Sequence, residues 1–253
     1  MAHAHQHGTA QTEDACCKTG RPKSQAKAEG GCCGGGGGGG CGCSAPSDPA
    51  LVENLNKPMT AQELATLPTM HLVMRSRRGL ERLDRRVFQL SERQIDQAFL
   101  PEADCGRWPV RVLVGHLADA EIAATHRMRR IVAEENPTVC VWDEDAFVDA
   151  NLYQNAPKEY AGNEEADHAR VMNALGGSMA VIHTLRTWAG QWLMTLDDSG
   201  WERRMMHPQR GPVTLRDYVA INTWHLEHHA KFLAQKLDRM LGPAHAGSCG
   251  CGH

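Results

Sequence analysis

Apolar positions recur along this chain at the three- and four-residue spacing of helices, not at the alternation of strands. Val110, Leu113, Leu117, Ala120, Ala124, Met128 and Ile131 form one such stripe. Positions three and four apart share a helix face, so the stripe predicts a helix from about Pro109 to Glu135. A proline suits its first turn, and Asn136-Pro137 ends it. Leu215, Val219, Leu226, Leu233 and Leu237 form another stripe. Thr214-Leu215-Arg216-Asp217 starts that helix, and Gly242-Pro243 stops it near Leu241. A further helix is expected from about Glu164 to Leu196, weakened or kinked at Gly176-Gly177. Upstream, Thr60-Ala61-Gln62-Glu63 reads as a capping box. Pro68 interrupts, and a long helical segment should follow from about Thr69 to Leu90. The stretch "VWDEDAFVDANLYQNAP" reads as a loop, and no strand pattern is convincing. Residues 51–243 are therefore expected to form an all-α, four-helix bundle.

The flanks have a different composition. Residues 1–50 include seven consecutive glycines, Gly34 to Gly40, in "GGCCGGGGGGGCGC". Such sequence has too little apolar surface to offset the entropy of ordering, so a disordered arm is expected. Residues 244–253 form a second, shorter flexible tail. Eight of the ten cysteines fall in these flanks: Cys16, Cys17, Cys32, Cys33, Cys41, Cys43, Cys249 and Cys251. Staples of a small secreted domain would lie within the fold. Thiols one or two residues apart at the ends suit soft-metal capture, with zinc or copper as the candidate ions. Incidental cysteines in a low-complexity arm are the plainer alternative.

Charge and hydropathy narrow the setting. The 253-residue chain has a formal net charge of -3, which gives no support for nucleic-acid binding by bulk charge. It lacks the run of about 18 apolar residues that a membrane-spanning helix needs. Its first residues lack the apolar segment of a secretory signal. A cytoplasmic protein with neither nucleic-acid nor membrane partners is expected.

Candidate chemistry lies in "TWHLEHHAKFL". On a helix, His225 and His229 stand one turn apart at the margin of the apolar stripe, while His228 points toward the wetter Asp217 side. Two imidazoles at this spacing can share a metal ion. His116 occupies the corresponding margin of the Pro109–Glu135 helix and becomes a third ligand if the two helices are neighbours. Three protein ligands and one open position characterise catalytic metal sites. Half-buried polar histidines without a metal are the plainer alternative.

Two motifs carry a family resemblance. "GRWPVRVLVGHLADAE" and "GWERRMMHPQRGPVTLRDYVAINTWHLEHHAKFL" resemble the second-helix and C-terminal signatures of the DinB-like (DinB/YfiT) superfamily. "VWDEDAFVDANLY" is similar to the loop that follows the family's second helix. The resemblance spans about Lys57 to Leu241 and excludes the flanks. It implies a four-helix bundle with one divalent ion, held by His116, His225 and His229, and it does not extend to His228. Family members include bacillithiol- or mycothiol-dependent transferases and isomerases, and some amide hydrolases.

The expected function is thus that of a divalent-metal-dependent hydrolase or thiol-dependent transferase. Zinc, nickel or iron would sit in the bundle, and the partner would be a small molecule such as a low-molecular-weight thiol. A homodimer is compatible with this reading. The alternative is a non-enzymatic metal-handling or metal-sensing protein. Asp119, Glu121 and Glu227 are candidates to orient an imidazole, and the general base stays unassigned. Trp108 and Trp224 are expected to pack near the site.

Overall fold

A computed structural model describes residues 48–153 and 164–244. The eight flank cysteines lie outside the described residues, as do all but residues 48–50 of the arm assigned to 1–50 and all but residue 244 of the tail assigned to 244–253. The helices are α1 (Pro49–Asn56), α2 (Ala61–Ala65), α3 (Thr69–Arg77), α4 (Glu92–Ile95), α5 (Val110–Ala133), α6 (Glu144–Asp149), α7 (Glu164–Leu193), α8 (Asp198–Trp201) and α9 (Leu215–Leu241). A hairpin of β1 (Arg204–His207) and β2 (Gly211–Thr214) precedes α9. The bundle is α3, α5, α7 and α9: α5 packs on α7 and α9, and α3 packs on the same two helices.

The local signals act where they were expected. Thr60 Oγ1 accepts from Glu63 N at 3.2 Å, and the Glu63 carboxylate accepts from Thr60 N at 2.7 Å. Each bond satisfies an N–H that the helix start leaves without an intrahelical partner. Thr214 caps α9 in the same way, accepting from Asp217 N at 3.0 Å.

Three expectations need correction. The segment from Thr69 to Leu90 is not one helix. α3 ends at Arg77, and two 3-10 turns follow, Gly79–Arg82 and Arg85–Gln89. Leu80, Leu83, Val87 and Leu90 have helical spacing, but steps of three are also the 3-10 repeat. Asp84 restarts the chain by accepting from Arg86 N, and Leu83, Val87 and Leu90 are buried on the bundle. The second correction is the hairpin. Its strands pair antiparallel, with Arg204 opposite Thr214 and His207 opposite Gly211. Met205 and Val213 are the strands' apolar residues that turn into the core, and His207 is buried beside them, so four-residue strands leave almost no alternation to read. Its three-residue turn closes on Gly211 at φ 75°, a backbone region that glycine enters without steric cost. The third is the loop after α5, which contains α6.

α7 runs unbroken through Gly176-Gly177. Leu175, Met179 and Ile182 of that helix are buried, and tertiary packing of this kind outweighs the local cost of glycine.

The core has two apolar layers. One gathers Ala124, Met128 and Ile131 of α5 with Leu215 and Val219 of α9. The other gathers Leu113 and Leu117 with Leu226, Leu233 and Leu237. A buried polar layer separates them. Arg186 of α7 donates to Glu121 Oε1 of α5 at 2.7 Å, to the Asn222 carbonyl of α9 at 2.9 Å and to the Ser76 carbonyl of α3 at 2.9 Å. Asn222 Nδ2 donates to Glu121 Oε2 at 3.1 Å. One guanidinium thereby ties all four bundle helices together, beside the histidines.

Candidate metal centre

His116 on α5 faces His225 and His229 on α9. Its Nε2 lies 3.3 Å from His225 Nε2, which lies 3.2 Å from His229 Nε2. The three ligating nitrogens all fall within 4.8 Å of one another. Tetrahedral ligation at ~2.0–2.1 Å spaces nitrogens by roughly 3.3 Å, so the set matches a three-imidazole ion site. Among the described residues no other group of histidine, cysteine, aspartate and glutamate converges in this way.

Electrostatics favour the ligating form. Burial, with no carboxylate beside the rings, holds His116 down at about 4. Burial also holds His229 at about 3, and His116, His228 and Lys236 add to the effect. His225 falls to about 2, first through burial and then through His229, His116 and Arg186. All three are neutral at neutral pH, the state a metal requires. The Nδ1 atoms of His116 and His229 are buried and have no partner in the structure.

Aromatic rings enclose the cluster. Trp108 lies 4.9 Å from His116 and stacks over His229 at 6.4 Å. Its loop is anchored where Lys236 Nζ of α9 donates to the Gly106 carbonyl. Trp142 stacks on His116 at 5.4 Å and meets Phe147 of α6 edge-on at 4.9 Å. Gly115 lets this side close down: a Cβ there would stand 2.3 Å from the Tyr153 ring. Trp224 stacks on His228 at 4.8 Å, and His228 also meets Phe232 at 4.7 Å, which leaves His228 outside the cluster.

The three carboxylates singled out in the sequence do not orient the imidazoles. Glu121 belongs to Arg186 and Asn222. Glu227 takes Arg75 in a two-bond clasp at 2.7 and 2.7 Å. Asp119 lines a separate cavity with Tyr153. Each is committed to a neighbouring helix or loop, a choice made across the fold and invisible in local spacing.

A cavity of about 180 Å³ opens from His116 and His225 along the groove between α5 and α9. Trp142 and Trp224 wall it, and Glu144 is its one lining carboxylate. Arg127, Arg210, His207 and Tyr218 line it too. Sequence reading missed Trp142, Glu144 and these last four. "WDED" and "HPQR" offered residues of the right types, but only the folded loop and hairpin bring them to the groove. A larger apolar cavity of about 570 Å³ lies between the 3-10 turns and α7, away from the histidine cluster.

Similar proteins bear on this site. A protein of Oceanobacillus iheyensis, named a candidate metal-dependent hydrolase, is 27% identical over 154 residues, 60% of this chain and 76% of its own. YfiT of Bacillus subtilis, also named a candidate metal-dependent hydrolase, is 29% identical over 141 residues, 54% of this chain and 67% of its own. The solved YfiT structure, described as having an unusual four-helix bundle topology, aligns with a TM-score of 0.55 at 22% identity, covering 74% of this chain and 93% of that one. Among the described residues no helix is long and apolar enough to cross a membrane. The DinB superfamily model matches residues 75–233, a span that includes His116, His225 and His229, and the chain belongs to the DinB superfamily.

Proposed function

We propose that the protein is a divalent-metal-dependent hydrolase acting on a small molecule, with His116, His225 and His229 as the metal ligands. The convergence of three neutral Nε2 atoms carries this reading, and the names of its relatives agree with it. A divalent ion there supplies Lewis acidity toward a carbonyl and toward water. The chain does the rest. The imidazoles stay neutral because they are buried. Trp108, Trp142 and Trp224 restrict access of bulk water. The Glu121–Arg186–Asn222 network holds α5 and α9 at the separation that the ligands need.

Glu144 is the proton carrier in this reading. Its carboxyl is raised by burial and then by Asp145 and Asp143, toward the range where a general base can also return a proton. Thiol transfer would use the same ion with a thiolate in place of water. No feature of the cavity is specific to a thiol, so hydrolysis is the preferred reading. For the flank cysteines we propose soft-metal capture, which rests on their spacing alone.

Metal analysis of the purified full-length protein tests the centre. Replacing His116, His225 or His229 by Ala should each lower the content by about one ion per chain. Unchanged content in all three would remove the site. A panel of small amides should be hydrolysed by wild type and lost to chelation. Glu144→Gln should lower turnover ~10²–10⁴-fold, and undiminished turnover would exclude Glu144. Removing residues 1–47 and 244–253 should lower soft-metal stoichiometry while leaving the histidine-bound ion. Equal stoichiometry would make the cysteines incidental.

A further inference from the structure

The arginines of this fold are not all treated alike. Arg75 is clasped by Glu227, Arg111 by Asp96 at 2.7 and 3.0 Å, and Arg186 by Glu121. Each of these is buried, and each has a carboxylate. Arg127 is half-buried on α5 and has none among the described residues. Its guanidinium donates to Tyr218 Oη at 3.2 Å and to the Cys140 carbonyl, both neutral. Arg210, at the hairpin turn, pairs with no carboxylate among the described residues; its backbone N–H donates to the His207 carbonyl at 3.2 Å. Both arginines line the cavity that starts at His116 and His225. The half-buried Arg127 charge is costly without a counterion, and the exposed Arg210 adds a second positive charge to the lining of the same cleft, so an anion matches the pair best.

The helices fix where that anion would lie. Arg127 follows His116 by eleven residues on α5, three turns plus about 20°, so the two share one face. On α9, Tyr218 precedes His225 by seven residues, two turns on one face. The groove therefore runs from the imidazoles at one end to Arg127, Tyr218 and Arg210 at the other. The backbone interval on α5 is roughly 16 Å, and side chains reaching in from both ends shorten it. His207 stands at the arginine end: burial and then Arg127 and Arg210 hold it toward its neutral form. Its Nδ1 accepts from Gln209 N at 3.2 Å. Glu144 is the cavity's one carboxylate and pairs with neither arginine. It lies two residues past Trp142, which stacks on His116.

We propose that Arg127 and Arg210 form an anion subsite that holds the carboxylate of a short, two-ended substrate while its hydrolysable carbonyl lies at the three histidines. The substrate class is a small acyl or amide compound with a terminal carboxylate, its middle passing between Trp142 and Trp224. A planar guanidinium pairs with a carboxylate through two parallel N–H···O bonds, and the small cavity suits that flat group over a bulkier tetrahedral one. This deepens the hydrolase reading and rests on the metal centre it assigns.

The test uses zinc-loaded full-length protein and isothermal titration calorimetry. The probes are acetohydroxamate, ω-carboxyalkyl hydroxamates with two to six methylenes, their methyl esters, and the matching phosphonates. At one spacer length the carboxylate should bind at least about tenfold more tightly than its ester, as expected of a charge-assisted pair. It should also bind more tightly than the phosphonate. Arg210→Gln and Arg127→Gln should each remove most of that preference, and Arg127→Lys should keep part of it. Arg210 is exposed, so its variant should retain the wild-type circular dichroism and give a clean reading even if Arg127→Gln folds poorly. Equal affinity of acid and ester at every length overturns the subsite, as does a preference that survives Arg210→Gln undiminished. A phosphonate preferred over the carboxylate overturns the carboxylate assignment. Acetohydroxamate needs the metal alone. If it binds and the acid preference is missing, only the subsite falls; if it fails to bind, the metal centre falls and the substrate geometry with it.

Discussion

Two polar clusters, one buried and one partly buried, lie side by side where α5 meets α9, and they are built on opposite principles. In one, Arg186, Glu121 and Asn222 satisfy each other: cation meets carboxylate, amide meets carboxylate, and the remaining guanidinium hydrogens go to backbone carbonyls. In the other, three imidazoles turn their acceptor nitrogens toward one point with no acid among them. Both are withdrawn from bulk water, the first fully and the second in part. Satisfaction separates them, and it marks the first as architecture and the second as a place for a ligand.

The largest effect should come from breaking the satisfied cluster. Glu121→Ala leaves the Arg186 guanidinium buried without its carboxylate. The cost should be ~3–5 kcal/mol, as for other broken buried pairs, seen as a lower urea midpoint. A change under about 1 kcal/mol would mean that the network is not what holds the helices.

A smaller effect should appear when acid is applied to the unsatisfied cluster. Without metal, His116 titrates at about 4 when folded, against about 6.5 when unfolded. Between these values the unfolded chain binds protons that the folded chain refuses, so stability falls as pH drops below about 6.5 and the loss is complete below about 4. From pH 6.5 to 5 the loss should be on the order of 2 kcal/mol for His116. His225 and His229 are depressed for the same cause and act in the same direction. Urea titrations across that range should show the slope flattening in His116→Ala. An equal slope in the variant would show that the ring is not kept neutral by burial.

Tighter packing tests the shell around the cluster. Gly115→Ala drives a methyl into the Tyr153 ring and should cost ~1–3 kcal/mol, as overpacking does. Thermal denaturation checks this, and a neutral result would show that Tyr153 moves freely. The smallest effect belongs to His228→Ala. His228 lies on Trp224 and Phe232, off the cluster, so metal content should be unchanged and stability should shift by less than about 0.5 kcal/mol. Loss of the ion in this variant would mean that the ligand set is drawn on the wrong face of α9.

Much of this was legible in the chain. The stripes on α5 and α9, the caps at Thr60 and Thr214 and the one-turn spacing of His225 and His229 are local, and local geometry delivered them. The Thr69–Leu90 segment misled because its apolar spacing fits both a helix and a chain of 3-10 turns, and burial of Leu83, Val87 and Leu90 chose between them. The hairpin misled because four-residue strands with one or two buried residues each carry almost no period. Glu121 and Glu227 looked available because sequence does not show that Arg186 and Arg75, from other helices, already hold them.

What the sequence determined by itself was the long helices α5, α7 and α9, the inward stripes of α5 and α9 and the placing of His116, His225 and His229 at the margins of those stripes, since helical periodicity fixes direction within a turn or two. Whether α5 and α9 are neighbours was left to tertiary packing, and so was the fate of every charge in the groove. Arg186 found Glu121, while Arg127 found only a phenol and a carbonyl. These outcomes depend on groups distant in sequence arriving at the same depth, and burial then makes each meeting energetically large.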